Sequence, residues 1–207
     1  AQCAYLGWPS DVADALQGWA AASAWATAAG QRDELNRVAA QFDRIISEVL
    51  DHQRTATPSS VMARLLDARV HGHPLADAQM VSMLRNWTAG ELGTIAAAVG
   101  IIIEHLARRQ DLQELLRRQP EVRQAAMDEM LRLEAPLIAN RRRTARSVSV
   151  DGRVIPADQP VTILWSAAQR DPRRFEDPAD FRLDRDPGDN LLYGRGPHYC
   201  PGEGLSR

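Results

Sequence analysis

The chain has 207 residues, 44% of them apolar, and a formal net charge of -2, so it can fill the core of one or at most two domains and carries no charge excess suited to nucleic acid or an anionic membrane. Its two cysteines, Cys3 and Cys200, stand far apart and make no disulfide framework, and nothing reads as a signal peptide. The longest apolar run, Ile95 to Ile103, is shorter than the about 18 residues of a membrane span and is interrupted by Gly100, so a reducing cytoplasm and no membrane contact are expected.

After Tyr5-Leu6-Gly7-Trp8-Pro9, Ser10 reads as the N-cap of a helix that starts at Asp11, carries Val12, Leu16 and Trp19 on one face and stops at Gly30. From 31 to 54 the apolar positions Leu35, Val38, Phe42, Ile45, Ile46 and Val49 recur at three and four, which predicts an amphipathic helix. Residues 55–60 form a linker and 61–66 a short helix. His71-Gly72-His73-Pro74 is a turn; a His-x-His pair can bind metal, but no third or fourth ligand stands nearby in sequence. Residues 77–107 read as one helix of about 45 Å, apolar nearly all round in its second half (Ile95, Ala98, Val99, Ile101, Ile102, Ile103, Leu106). Such a helix crosses the middle of a fold. Gly90, Gly93 and Gly100 inside it each cost about 1 kcal/mol relative to Ala, so a close neighbour or a bend is expected there.

Residues 111–118 and 121–133 give two more helices, the second burying Val122, Ala126, Met130 and Leu133 and stopped by Pro136. Glu129 and Arg132 stand three apart on it, a pair worth a few tenths of a kcal/mol if solvated. Asn140-Arg141-Arg142-Arg143-Thr144-Ala145 is basic, and a solvated turn suits Arg141 and Arg142. Val148-Ser149-Val150-Asp151-Gly152-Arg153-Val154-Ile155 centres Asp-Gly between alternating apolar residues, the pattern of a β-hairpin, and Val161-Thr162-Ile163-Leu164 adds a strand.

The final stretch, Tyr193-Gly194-Arg195-Gly196-Pro197-His198-Tyr199-Cys200-Pro201-Gly202, spaces its glycines, histidine and cysteine too specifically for a generic loop. A lone cysteine is usually just a small buried apolar residue. Here glycines let the backbone curl and present amides to the sulfur, and a helix start follows at Leu205-Ser206-Arg207, an environment that favours a thiolate and so a metal ligand.

This stretch resembles the cysteine-ligand loop of the cytochrome P-450 (haem-thiolate) family, F-G-x-G-x-H-x-C-x-G, with Tyr193 in place of Phe. Ala89-Gly90-Glu91-Leu92-Gly93-Thr94 resembles its central-helix oxygen-activation motif A-G-x-[DE]-T-T, Glu129 and Arg132 its E-x-x-R, and Ala168-Gln169-Arg170-Asp171-Pro172 its A-N-R-D-P connector. The resemblance implies a mainly α fold with a small β-sheet region, incomplete at both ends: a partial domain with the central helix at 77–107, the Glu-x-x-Arg helix at 121–133, the hairpin region at 147–164 and the ligand loop at 193–202. It also implies that Cys200 ligates the iron of haem b, the thiolate favouring O–O cleavage. Ala89, Gly90, Tyr193, Gly194, Gly196 and Gly202 would lie against the cofactor, while Arg143 and His198 would bind its propionates, a guanidinium offering two parallel donors. The Glu129–Arg132 pair would be structural, with a third partner from residues 175–182.

In family terms the activity would be insertion of one oxygen atom of O2 into a small organic substrate. Electrons would come from a ferredoxin or flavodoxin-type donor with its reductase, as in soluble bacterial members, and the enzyme would be a monomer. The central motif departs from the family pattern: Leu92 occupies the acid position and Gly93 the first threonine, leaving Glu91 one residue early and Thr94 one late. A one-residue shift turns a side chain by about 100°, so a bulge must restore the facing of these two catalytic candidates, or protons arrive by water, a substrate hydroxyl or peroxide. The alternatives to a monooxygenase are a truncated fragment without haem and a peroxide-using haem-thiolate enzyme.

Overall fold

The computed structural model describes residues 2–206 and divides into two compact units that meet in the chain at Gly93 and Thr94. In the first unit the helices are α1 (Gln2–Leu6), α2 (Ser10–Ala29), α3 (Arg32–Thr55), α4 (Ser60–Leu66) and the first part of α5 (Asp77–Arg108). Its core follows from the helical periodicity of the chain: Val12, Leu16, Trp19 and Ala26 of α2 and Val38, Phe42, Ile46, Val49 and Leu50 of α3 are buried together, with Met80, Val81 and Leu84 of α5. The Trp19 and Phe42 rings lie 4.6 Å apart between centroids, and the Trp19 Nε1–H donates to the Val38 carbonyl at 3.0 Å. Burying the ring thus leaves no polar atom unsatisfied. Two expectations change here. Ser10 is the first residue of α2 and not its cap, Pro9 holding the cap position without a side-chain hydrogen bond; and of the turn predicted over 71–74 only His71 and Gly72 turn, joining two short strands, β1 (Arg69–Val70) and β2 (His73–Pro74), in a tight hairpin.

In the second unit the rest of α5 packs against α6 (Gln110–Arg118) and α7 (Arg123–Glu134) around buried Leu112, Ala126 and Met130, with Ile101, Ile102 and Leu106 of α5 against them. The predicted start at 121 lies in a tighter 3-10 turn at Pro120–Val122, because a proline fits the first turn of a helix but cannot extend one. Arg141 and Arg142, read from sequence as a solvated turn, lie instead in strand β3 (Ala139–Arg143), antiparallel to β6 (Pro160–Leu164). Charge alone hid it. Both arginines are nonetheless exposed, as expected. Between them β4 (Val148–Val150) and β5 (Arg153–Ile155) make the predicted hairpin, with Asp151 at φ 49° and Gly152 at φ 75°, the left-handed pair that a two-residue turn demands. A short helix α8 (Trp165–Ala168), unanticipated, follows β6, and α9 (Glu203–Ser206) closes the described chain.

Helix α5 corrects a further expectation. Counting only unbroken apolar runs stopped at its glycines and polar residues, and by length and composition the helix does pass as a candidate membrane span, with a mean hydropathy of 1.4 over 18 residues. None of that window is buried in the structure, although Met80, Val81 and Leu84 of the helix lie in one core and Ile101, Ile102 and Leu106, partly buried, pack against the other. It is α-helical throughout, and among the described residues a Cβ at Gly90, Gly93 or Gly100 would meet nothing within 4 Å, so the expected close approach at their Cβ positions is not made.

Candidate functional site

The cysteine loop is built by its own backbone. The Gly194 N–H donates to the Leu191 carbonyl (2.9 Å), the Tyr199 N–H to Gly196 (3.0 Å) and the Cys200 N–H to the Tyr193 carbonyl (2.8 Å), so the chain from 193 to 200 closes on itself and returns the cysteine beside the residue that opened the loop. Gly194 and Gly196 both sit at φ 74°, a conformation that a side chain would strain. Cys200 is half-buried, and a Cβ on Gly202 would lie 3.7 Å from its sulfur, in ordinary van der Waals contact. The Tyr193 and Tyr199 rings stand 6.5 Å apart, and the Tyr199 hydroxyl donates to the Glu203 carboxylate, tying the loop to α9. His198 lies in a single 3-10 turn (Gly196–His198) and is exposed.

Behind the loop stands a buried ion-pair network. Glu129 and Arg132 of α7 are 4% and 1% exposed at the side chain, which excludes the solvated pair and its few tenths of a kcal/mol. Charges buried this deeply stabilise only when every lone pair and proton is used. Glu129 Oε2 accepts from Arg132 Nε (2.7 Å), and Oε1 accepts from Arg132 Nη2 (2.9 Å), Arg185 Nε (2.9 Å) and the Arg182 N–H (3.1 Å). The rest of the Arg132 guanidinium donates to the carbonyls of Gln169 (2.7 Å), Pro178 (2.9 Å) and Asp180 (3.3 Å). Both guanidinium groups also lie over the Phe175 ring, at 5.1 Å and 6.0 Å from its centroid. The third partner is therefore Arg185, three residues beyond the stretch expected to supply it. Sequence gave no signal for it, since arginines crowd this stretch and only the fold selects one.

The other candidates are placed as follows. Arg143 ends β3, exposed, and its Nη1 donates to the Asp158 carbonyl (2.7 Å) and carboxylate (2.8 Å), so it already holds an acidic partner on the next turn. Ala89 and Gly90 are exposed on α5 and belong to the first unit with Glu91; Thr94, half-buried, opens the second. No bulge interrupts the helix between them. Glu91 points into the first unit: its Oε2 is buried without a hydrogen-bond partner, burial pushes its carboxyl up, and the Cys3 thiol of α1, itself pushed up by burial, is pushed further by the Glu91 charge. The cysteine loop and the Glu129 network are brought together within the second unit.

The donor chemistry suits a metal that brings its own ligands. Among the described residues there is no group of three or more His, Cys, Asp or Glu that could hold a bare ion, so Cys200 could supply one ligand but not a coordination sphere. A porphyrin iron asks for just that. A cysteine loop of this kind, offering one sulfur, suits the haem-thiolate class of protein.

Comparison with known proteins agrees. The family model described as cytochrome P450 matches residues 22–207, and the chain belongs to that family. Cytochrome P450 144 of Mycobacterium tuberculosis is 35% identical over 168 residues, 81% of this chain and 37% of that protein. A beta-dihydromenaquinone-9 omega-hydroxylase of Mycobacterium bovis is 44% identical over 102 residues, 49% of this chain and 21% of that one. The structure of the Bacillus subtilis cytochrome P450 PksS superposes with a TM-score of 0.87 at 25% identity, covering 99% of this chain and 53% of PksS. The chain thus spans about half the length of that structure and less of the two sequence relatives.

Proposed function

We propose that the protein carrying this sequence is a haem-thiolate monooxygenase that inserts one oxygen atom of O2 into a small organic substrate. Bound haem b would supply the oxygen activation, with electrons from a ferredoxin or flavodoxin-type donor and its reductase. The chain's own part is positional and electrostatic. Cys200 would ligate the iron; the closed turn from Tyr193 to Cys200 holds its backbone, and Gly202 lies against the sulfur without a side chain. His198, exposed on the loop, is free of the core and available to a propionate, and Arg143 would reach one by giving up Asp158. The observation that carries the reading is the Cys200 loop backed by a fully satisfied Glu129–Arg132–Arg185 network. The test is the reduced carbon monoxide difference spectrum of the haem-loaded protein. A red-shifted Soret band is expected, and Cys200→Ala should remove it; a variant spectrum unchanged from the parent sinks the assignment.

A second reading, peroxide in place of O2 and reductase, is favoured by one observation. Helix α5 continues without a bulge through Leu92 and Gly93, which leaves the acid position and the first threonine position of the motif without a polar side chain, while the Glu91 carboxyl is turned into the first unit's interior. Thr94 remains the nearest alcohol in sequence. Substrate turnover with reductase and O2, set against turnover with peroxide alone, separates the two: O2 consumption matched to product supports the first, product with peroxide only supports the second.

A further inference from the structure

Gln169, just after α8, is 1% exposed, and a buried amide is tolerated only when its donor and acceptor are both used. Its Oε1 accepts from the Leu191 N–H (3.0 Å) and its Nε2 donates to Asn190 Oδ1 (2.6 Å). Asn190 Oδ1 also accepts from the Leu192 N–H (2.8 Å), and its Nδ2 donates to the Asp128 carbonyl of α7 (3.2 Å). Both amide orientations are dictated by the backbone: a peptide N–H can only donate, so each side-chain oxygen must face it. The Gln169 carbonyl in turn accepts from Arg132. Residues 190–192 are the entry to the cysteine loop, since the Leu191 carbonyl takes the Gly194 N–H. A continuous set of hydrogen bonds therefore runs from Glu129 and Arg132 through Gln169 to the first residues of the loop.

We propose that Gln169, with Asn190 as its partner, is a positioning residue that fixes the entry of the cysteine loop and thereby the place of the Cys200 sulfur. The proposal rests on Cys200 as the haem ligand. Gln169→Leu removes both side-chain bonds; Gln169→Glu keeps the volume and the acceptor for Leu191 but turns a carboxylate oxygen against Asn190 Oδ1. Leu112→Ala, in the apolar cluster of the same unit, controls for plain loss of stability. In the haem-loaded protein, well below each Tm, both Gln169 variants should move the greater part of the carbon monoxide complex from the red-shifted band to the unshifted band of lost thiolate ligation. The Leu191 amide should exchange about tenfold faster in Gln169→Leu, the loss expected from one hydrogen bond. Leu112→Ala should lower Tm and leave the band in place. A Gln169→Glu spectrum equal to the parent's overturns the proposal, as does an equal band shift in Leu112→Ala. Should Gln169→Leu fail to fold, Gln169→Glu and Asn190→Asp, both of native size, decide it. If the parent itself lacks the red-shifted band, the role of Cys200 fails and the proposal with it; if the parent shows the band and the variants keep it, only the positioning role fails.

Discussion

Glu129 shows how far a single carboxylate can shape this unit. Burial alone would raise its pKa, yet the bonds from Arg132, Arg185 and the Arg182 N–H outweigh burial and hold it below the ordinary value of 4.5. A carboxyl lowered on folding adds stability above its unfolded value and loses it as pH falls through its folded one. The stability difference between parent and Glu129→Gln should therefore be full near neutrality and shrink below pH 4.5, in denaturant melts at stepped pH; a difference flat across that range would contradict the assignment. Arg132→Ala leaves the Glu129 charge buried with one guanidinium fewer and should cost about 3–5 kcal/mol by chemical denaturation. Arg185→Ala, whose side chain is 12% exposed, should cost less, about 1.5–3 kcal/mol, the worth of hydrogen bonds to a charged group.

At the level of elements, the loop and the hairpin are specified by backbone conformation and the helices by periodicity. Gly194→Ala and Gly196→Ala should each lose about 1–2 kcal/mol, because a Cβ at φ 74° crowds the following carbonyl. Thermal melts of the haem-free protein read this loss apart from any effect on ligation. Helices α2 and α3 were legible because their apolar residues return on one face, α5 because a long stretch is apolar nearly all round, and the hairpin because Asp151-Gly152 stands between alternating apolar residues. Strand β3 was not legible. Its sequence, Ala139 to Arg143, is polar and lacks alternation, and only pairing with β6 makes it extended. The ends of α2 and α7 shifted for local reasons, prolines that begin a turn but cannot continue one.

Taken whole, the chain leaves apolar surface uncovered. Ile95, Val99 and Ile103, spaced at four along α5, are 37%, 50% and 60% exposed, and Ile138 and Leu164 of the second unit are also more than half exposed. A contiguous apolar stripe marks a surface that binds something or aggregates. The 207-residue polypeptide by itself should accordingly bind a hydrophobic dye and self-associate with rising concentration. The pair Val99→Gln and Ile103→Gln should reduce both while leaving helical circular dichroism in place. Monomeric behaviour of the parent without dye binding would contradict this reading.

The sequence by itself determined the family, the mainly helical class, the cysteine loop and the helix that carries Glu129 and Arg132, because each rests on local spacing or on a periodicity set by the backbone. Only the tertiary structure decided that Arg185 completes the ion-pair network, that Gln169 and Asn190 join it to the loop, and that the Glu91 carboxyl faces the interior of its own unit. Those outcomes depend on which of many similar side chains meet after folding, and contacts between residues tens of positions apart leave no mark in local spacing.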